Sequence, residues 1–484
     1  MKQLYKTTLL IALIAVASIA NAQQEQQSQS FTLDQCIDYA LKNSISAQNS
    51  YLDQRIATAK VRETVGLGLP QISGTGNVVH NEKLQRFFTR YDTSKSSFIK
   101  LDPSAAQGLK PGDVIAAQNF FQLKNSATAT LTVNQLIFSG SYIVGLQASR
   151  TYKELSEKTA LQTKEQVIQQ VTKAYYNVLI NRERASLFTN NIARVDSLLK
   201  NTIALNKNGF TESIDVDRIQ VTYNNLVAER DKFLKLNELS SELLKFQMNY
   251  PMDQPINVVG DIQEIKVEAN SDAYEKDWDY KTRPDYKVLE TNKRLQELNV
   301  KNLYSGALPT ISAFGNLGYN TQSGDIAGLF KTNTNYSDNG TLGPDKWYSY
   351  SQFGVNVNIP LFTGFQRHQR IQQEKLNLLK IENGFRNLKQ GIALETKQAS
   401  ANFENALSSL TSQKANMELA GKVARVTKIK YQQGVGSNLE VVDAENSLRQ
   451  SQTNYYNSLF DAMVAKVDLD KAYGKLLPQT QNKN

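Results

Sequence analysis

The chain has 484 residues, enough for about three domains at ~150 residues each, and is 40% hydrophobic, with 55 Lys and Arg against 46 Asp and Glu. This is too polar for a helical membrane protein, and too rich in periodic Leu, Val, Ile, Tyr and Phe for a disordered one. The single cysteine, Cys36, excludes an intrachain disulfide, the two distant histidines, His80 and His368, cannot supply a usual zinc cluster, and no dense Lys/Arg block marks a nucleic-acid partner.

Lys2, Lys6, the apolar stretch from Leu9 to Ala17 and Ala20-Asn21-Ala22 predict a cleaved export signal over residues 1–22. Its apolar part is far short of the ~20 residues a spanning helix needs. Removing Lys2 and Lys6 takes the formal charge from +9 to +7. A Gln/Ser-rich lead, residues 23–30, is expected to be unstructured. Thr32 with Gln35 forms a capping box and opens a helical pattern that runs to Gly66. The apolar period then changes to two, from Gln71 to about Val79 and from Ala127 to Phe138, which predicts strands with one oily and one wet face. A long polar loop with Pro103 and Pro111 separates them.

From about Ser141 to Asn208 the pattern is helical without a proline, and at ~1.5 Å per residue such a helix spans roughly 100 Å. Its apolar residues fall in heptad rows, Val171, Val178, Ala185, Ile192 and Leu199 in one, and Val167, Ala174, Phe188 and Val195 in the other, interrupted by Asn181. Such rows are coiled-coil seams. Gly209 breaks the helix, and a second follows from about Glu212 to Gln247.

The pattern then repeats. Leu69-Pro70-Gln71-Ile72-Ser73 is echoed by Leu308-Pro309-Thr310-Ile311-Ser312, Leu136-Ile137-Phe138-Ser139-Gly140 by Pro360-Leu361-Phe362-Thr363-Gly364, and Gly209 by Gly434. This is an internal duplication. A first structural repeat occupies 31–250, a linker or equatorial segment 251–282, a second repeat 283–474 and a polar tail 475–484. In the second repeat a strand over Phe353 to Ile359 precedes a long helix over about Phe365 to Gln432, with seam residues including Ile392, Ala399, Phe403 and Ala424.

The first helix and the post-turn helix together match the length of the long one, so two short helices stacked end to end can lie beside each long helix. Four amphipathic strands cannot close a barrel, because an open edge leaves unpaired amides in lipid. Two copies of the chain give eight strands and a filled interior, whereas three give twelve and room for a channel. The expected fold class is mainly α with a small β part: as a homotrimer, a 12-stranded outer-membrane β-barrel continued by a long hollow α-helical coiled-coil barrel. A heptad helix taken alone more often belongs to a solid coiled coil. A rod, however, does not account for duplicated pairs of alternating strands in an exported chain.

The chain resembles the TolC-type outer membrane efflux proteins over nearly all of its mature length. The resemblance is carried by the opening Thr32-Leu33-Asp34-Gln35-Cys36-Ile37-Asp38-Tyr39-Ala40-Leu41-Lys42-Asn43, both Leu-Pro strand entries, Pro360-Leu361-Phe362-Thr363-Gly364, Arg283-Pro284-Asp285, and Tyr431-x-x-Gly434 followed by Leu439-Glu440-Val441-Val442-Asp443-Ala444. Each string is weak by itself; their order and duplicated spacing make the match specific. It implies a trimeric duct in the outer membrane of a Gram-negative bacterium with a long periplasmic extension. Its sealed end would open on docking an inner-membrane transporter through a periplasmic adaptor. The competing reading is a trimeric surface-anchored coiled-coil scaffold or adhesin with no transport role.

The resemblance further implies a gate at the tip of the second helical hairpin, where Glu440 and Asp443 take the positions of the family's acidic ring. Three residues apart on a helix, they share a face, and threefold symmetry would ring the opening with six carboxylates that attract cations. From the residues alone a first-turn role is as good an account, since acids there complement the helix dipole behind an N-cap at Ser437 or Asn438. The family's closed-state lock joins an acid in the first hairpin to a tyrosine and an arginine in the second. Asp215 and Tyr431 match the first two, Gly436 stands where the arginine would be, and Arg218 is the available local substitute or an exposed helix charge. Gly209, Gly434 and Gly436 are expected to be turn residues. No phosphate-binding loop or HExxH motif is present, and no enzyme activity or cofactor is expected.

Overall fold

The structure is a computed structural model describing residues 29–93, 101, 104–117, 119, 121–262, 274, 278–331, 334–335 and 347–477. The export signal, most of the polar lead and most of the C-terminal tail lie outside the described residues. In chain order the elements are β1 (Gln29–Phe31), α1 (Leu33–Asn43), α2 (Ile45–Gly66), β2 (Gln71–His80), β3 (Phe87–Arg90), β4 (Val114–Ala117), β5 (Asn125–Ser139), α3 (Gly140–Lys207), α4 (Ser213–Met248) and β6 (Ile256–Val258). There follow α5 (Pro284–Ser305), β7 (Thr310–Ser323), β8 (Thr334–Asn335), β9 (Trp347–Asn358), α6 (Gln366–Gln432) and α7 (Asn438–Ala472), with 3₁₀ turns at Tyr280–Thr282 and Ile326–Phe330.

The chain divides into two compact units, one built from Ala59–Arg150 and Glu297–Lys375, the other from Thr151–Gln296, Leu376–Asn484 and the chain up to Thr58. The first is a sheet of order β2-β5-β7-β9-β8 in which the four long strands are antiparallel neighbours. Register fixes its two faces. The cross-strand row Ile72, Val133, Gly315, Phe353 alternates with the row Ser73, Thr132, Asn316, Gln352, so oily residues share one side and polar residues the other. The oily side lies open: Ile72, Phe353 and Val355 are each about two-thirds or more exposed. A bulge between Leu136 and Phe138 shifts the register where β5 turns into α3. Glycines let large side chains cross the sheet. Tyr350 reaches over Gly318 to share a 2.5 Å hydrogen bond with Thr130, and the Phe314 ring covers Gly354.

The second unit is helical. The heptad rows of α3 are its core, with Val171, Val178, Ala174, Phe188 and Val195 all buried and Asn181 buried among them. One cluster gathers Phe31, Cys36 and Ala40 with Leu244, Met248, Leu459 and Met463, and another gathers Phe188, Leu199, Ile219, Phe233 and Val441. Phe188 and Phe233 stack with ring centroids 5.3 Å apart. On α6, Ile392, Ala399, Phe403 and Ala424 are buried, while Leu394, Leu419, Val423 and Val426 are more than half exposed. No helix among the described residues is long and apolar enough to cross a membrane.

Three expectations need correction. The first helical stretch is two helices, because Ser44 adopts ψ 142° and its Oγ accepts the Ala47 N–H, restarting the helix as an N-cap does. The polar lead is not unstructured to its end, since Gln29 and Ser30 belong to β1, which pairs in parallel with β6 after α4. The polar loop after β2 carries the β3–β4 ribbon, whose short strands lack an alternating pattern long enough to read.

Candidate functional site

The two reversals between helices, α3 to α4 and α6 to α7, are built alike. In the first, the Phe210 N–H bonds to Leu205 O at 2.9 Å and the Gly209 N–H to Asn206 O at 3.0 Å; in the second, Val435 bonds to Lys430 O at 3.0 Å and Gly434 to Tyr431 O at 3.0 Å. Each is a Schellman cap, and Gly209 and Gly434 take the left-handed conformation it requires, with φ +77° and +75°. Gly436 serves a different purpose. Its φ is not positive, but a Cβ there would stand 3.1 Å from Tyr431 N and 3.2 Å from the Lys430 Cβ, so the close return of the chain, not a left-handed turn, calls for glycine.

The duplication also aligns the predicted site residues with one another. Glu440 follows Asp215 by the same separation that Gly434 follows Gly209, and each acid is the third residue of its helix. Ser437 caps α7 by accepting the Glu440 N–H at 3.2 Å, which places Glu440 in the first turn of the helix. Glu440 and Asp443 both lie exposed on one face of α7. Asp215 and Arg218 form an i,i+3 ion pair of 3.4 Å along α4. Tyr431 lines the same cleft as Asp215 and Arg218, with its hydroxyl 3.5 Å from Thr202 Oγ1 on α3.

The link between the hairpins runs through Asn438, which the sequence offered only as a possible N-cap, and through Arg194, Asn191, Glu445 and Gln452, which it did not single out. Asn438, buried at 5% exposure, donates from Nδ2 to the Asp215 carbonyl at 3.1 Å. Its Oδ1 is buried without a hydrogen-bond partner. Further along, Arg194 of α3 pairs with Glu445 of α7 at 3.2 Å and also holds Asn191 Oδ1 at 2.7 Å, and the Asn191 amide donates to Gln452 Oε1 at 3.0 Å. Beside the two turns is a cleft of about 1010 Å³ lined by Leu198, Leu205, Phe210, Tyr431, Asn438 and Leu439 among others. The signal for this seam was present as polar residues at heptad spacing within a helix whose other seam positions are apolar, but such residues look the same when solvated.

A second polar node explains the Arg283-Pro284-Asp285 string. Arg283, buried at 5% exposure, holds Asp285 through Nε at 3.1 Å and Nη2 at 2.9 Å, Glu395 of α6 at 2.8 Å, and the Ala472 carbonyl ending α7 at 2.8 Å. Lys471 lies 3.6 Å from Glu395. Glu165 of α3 is buried in the field of these ions with Oε1 unbonded. Burial pushes its carboxyl up to about 7; Arg283 and Lys471 pull it down, and Asp285 and Glu395 push it up. No group of three or more His, Cys, Asp or Glu among the described residues is placed to hold a metal ion.

Residues 281–475 match the family model for outer membrane efflux proteins. The chain is 20% identical to the outer membrane protein TolC of Vibrio cholerae over 73% of its own length and 77% of that protein's. It is 26% identical to the solvent efflux pump outer membrane protein SrpC of Pseudomonas putida over 41% of its length and 39% of that protein's. The outer membrane protein VceC of Vibrio cholerae shares the fold, with a TM-score of 0.65 at 14% identity over 91% of this chain and 96% of that one. The family model, the curated relatives and the shared fold agree with the resemblance read from the motifs: the chain is similar to the TolC-type outer membrane efflux proteins. TolC, SrpC and VceC are all outer membrane proteins.

Proposed function

We propose that three copies of the chain close their strands into a 12-stranded barrel in the outer membrane, continued by a hollow helical cylinder in the periplasm. Together they form the exit duct of a tripartite efflux or secretion system. The observation that carries this reading is the sheet: four long two-faced strands, with the outer edge of β2 and most of that of β9 unpaired among the described residues. An oily face needs lipid, and a free edge in lipid leaves unpaired amides, so identical neighbours must complete the wall. The duct is shut at the helical turns, where Glu440 and Asp443 of three copies ring the opening, and the seam through Asn438, Arg194 and Asn191 holds the hairpins together. A periplasmic adaptor and an inner-membrane pump release it.

The test is extraction of the mature protein in detergent and recording in a planar bilayer. A trimer with channel conductance supports the duct; a soluble periplasmic monomer overturns it. Glu440→Ala with Asp443→Ala is expected to raise leakage of small hydrophilic solutes and weaken block by cations. If conductance and block are both unchanged, the acidic ring is not the gate.

A further inference from the structure

The four long strands contain no Asp, Glu, Lys or Arg; His80, at the end of β2, is their one ionisable side chain of the usual charge-bearing kinds. On the oily face this is what lipid demands. On the wet face it is not, because water solvates charge there, and channels commonly place charged rings on such walls. Here the wet face offers hydroxyls, amides and a few rings. The row Ser73, Thr132, Asn316, Gln352 is typical, with Thr132 Oγ1 donating to Asn316 Oδ1 at 2.9 Å, and beside it Tyr350 bonds to Thr130.

Resting on the barrel reading, we propose that the strand-level wall of the duct carries no fixed charge and presents neutral hydrogen-bonding groups. It therefore admits cationic and anionic cargo alike, and the ionic preference of the duct is set wholly outside the strands. The geometry supports this separation. Gln352 stands five residues from the start of β9 and six from its end, which at ~3.3 Å per residue is about 17–20 Å from charges beyond the strand. That is roughly twice the screening length of about 8 Å at physiological salt. Any charged side chain on this face would appear three times around a wall backed by lipid, where its field is focused; the neutral composition removes that field.

Single cysteines report the local potential. Gln352→Cys and, independently, Ser73→Cys are placed in the full-length protein, reconstituted in lipid vesicles in 0.15 M salt, and reacted with a cationic and an anionic methanethiosulfonate. Cys36 is buried and stays in place as an inert background. The expected ratio of the two rates is within about threefold of that for a free neutral thiol; a larger displacement in either direction overturns the neutral wall. Adding Asn316→Asp, directly opposite Gln352, is expected to shift the ratio at least about fivefold toward the cationic reagent; no shift would overturn the enclosed wet wall itself. Val355→Cys, on the oily face, separates the two ideas. Should it react as fast as Gln352→Cys in vesicles, the barrel reading fails, whatever the charge ratio.

Discussion

Arg194 and Glu445 pair at 3.2 Å between α3 and α7, with the Glu445 side chain only 10% exposed. The pair ties the first helical hairpin to the second near the turns, where the motif-based reading expected a tyrosine and an arginine to act. A carboxylate this enclosed depends on its partner, and the same guanidinium holds Asn191, which reaches Gln452. Glu445→Gln is expected to cost about 1–2 kcal/mol in denaturant unfolding of the detergent-solubilised protein. A double-mutant cycle with Arg194→Gln should give a coupling of about 1 kcal/mol. Additive effects of the two changes would mean that the pair does not bind the hairpins.

Asn438 bonds to the Asp215 carbonyl with its amide while its oxygen stays unpaired. Losing both groups at once should therefore cost little, and Asn438→Ala is expected to change stability by less than about 1 kcal/mol. Asn438→Asp keeps the shape but replaces the donor with an acceptor, facing a carbonyl in a buried site. It is expected to lose about 2–4 kcal/mol and to raise basal conductance. Equal behaviour of the two variants would show that the Asp215 carbonyl does not reject an acceptor at position 438.

These contacts mark where sequence reading stops. The heptad rows of α3, the capping box at Thr32 and Gln35, both left-handed glycines and the repeat were legible because each depends on local spacing. The break at Ser44 was not, since serine is tolerated within helices and only its capping of Ala47 reveals the restart. Nor were Asn438, Arg194 and Glu445 as partners, because their meeting depends on how two distant helices pack. Asp215, Tyr431 and Arg218 were found as residues and line one cleft, but the bonds they make there were not legible: Asp215 pairs with Arg218, and the Tyr431 hydroxyl lies against Thr202.

The sheet makes a sharper demand on one glycine. A Cβ at Gly318 would stand 2.6 Å from the Ala129 carbonyl and 3.0 Å from the Tyr350 ring, so the strand itself must move. At Gly76 nothing lies within 4 Å. Gly318→Val is expected to cost about 1–3 kcal/mol and to lower the yield of oligomer on size-exclusion chromatography, while Gly76→Ala leaves it unchanged. Matching losses in both variants would mean that β propensity, not the crossing of Tyr350 to Thr130, governs the effect.

Glu165 supplies the pH dependence. Its carboxyl, ordinarily titrating near 4.5, is pushed up to about 7 by burial, against the pull of Arg283 and Lys471 and with the push of Asp285 and Glu395. The folded state thus holds this proton more tightly than the unfolded chain does. Its stabilising contribution is complete below pH ~4.5, falls as pH rises from there to about 7, and is absent above. Glu165→Gln, a permanent mimic of the protonated acid, should remove this slope and stabilise the protein above pH 7 by on the order of 1–3 kcal/mol. Thermal unfolding of both proteins between pH 5 and 8 checks it, and the difference should shrink toward the acid end. Parallel curves would show that Glu165 does not titrate in this range, and that the Arg283 node neutralises it fully.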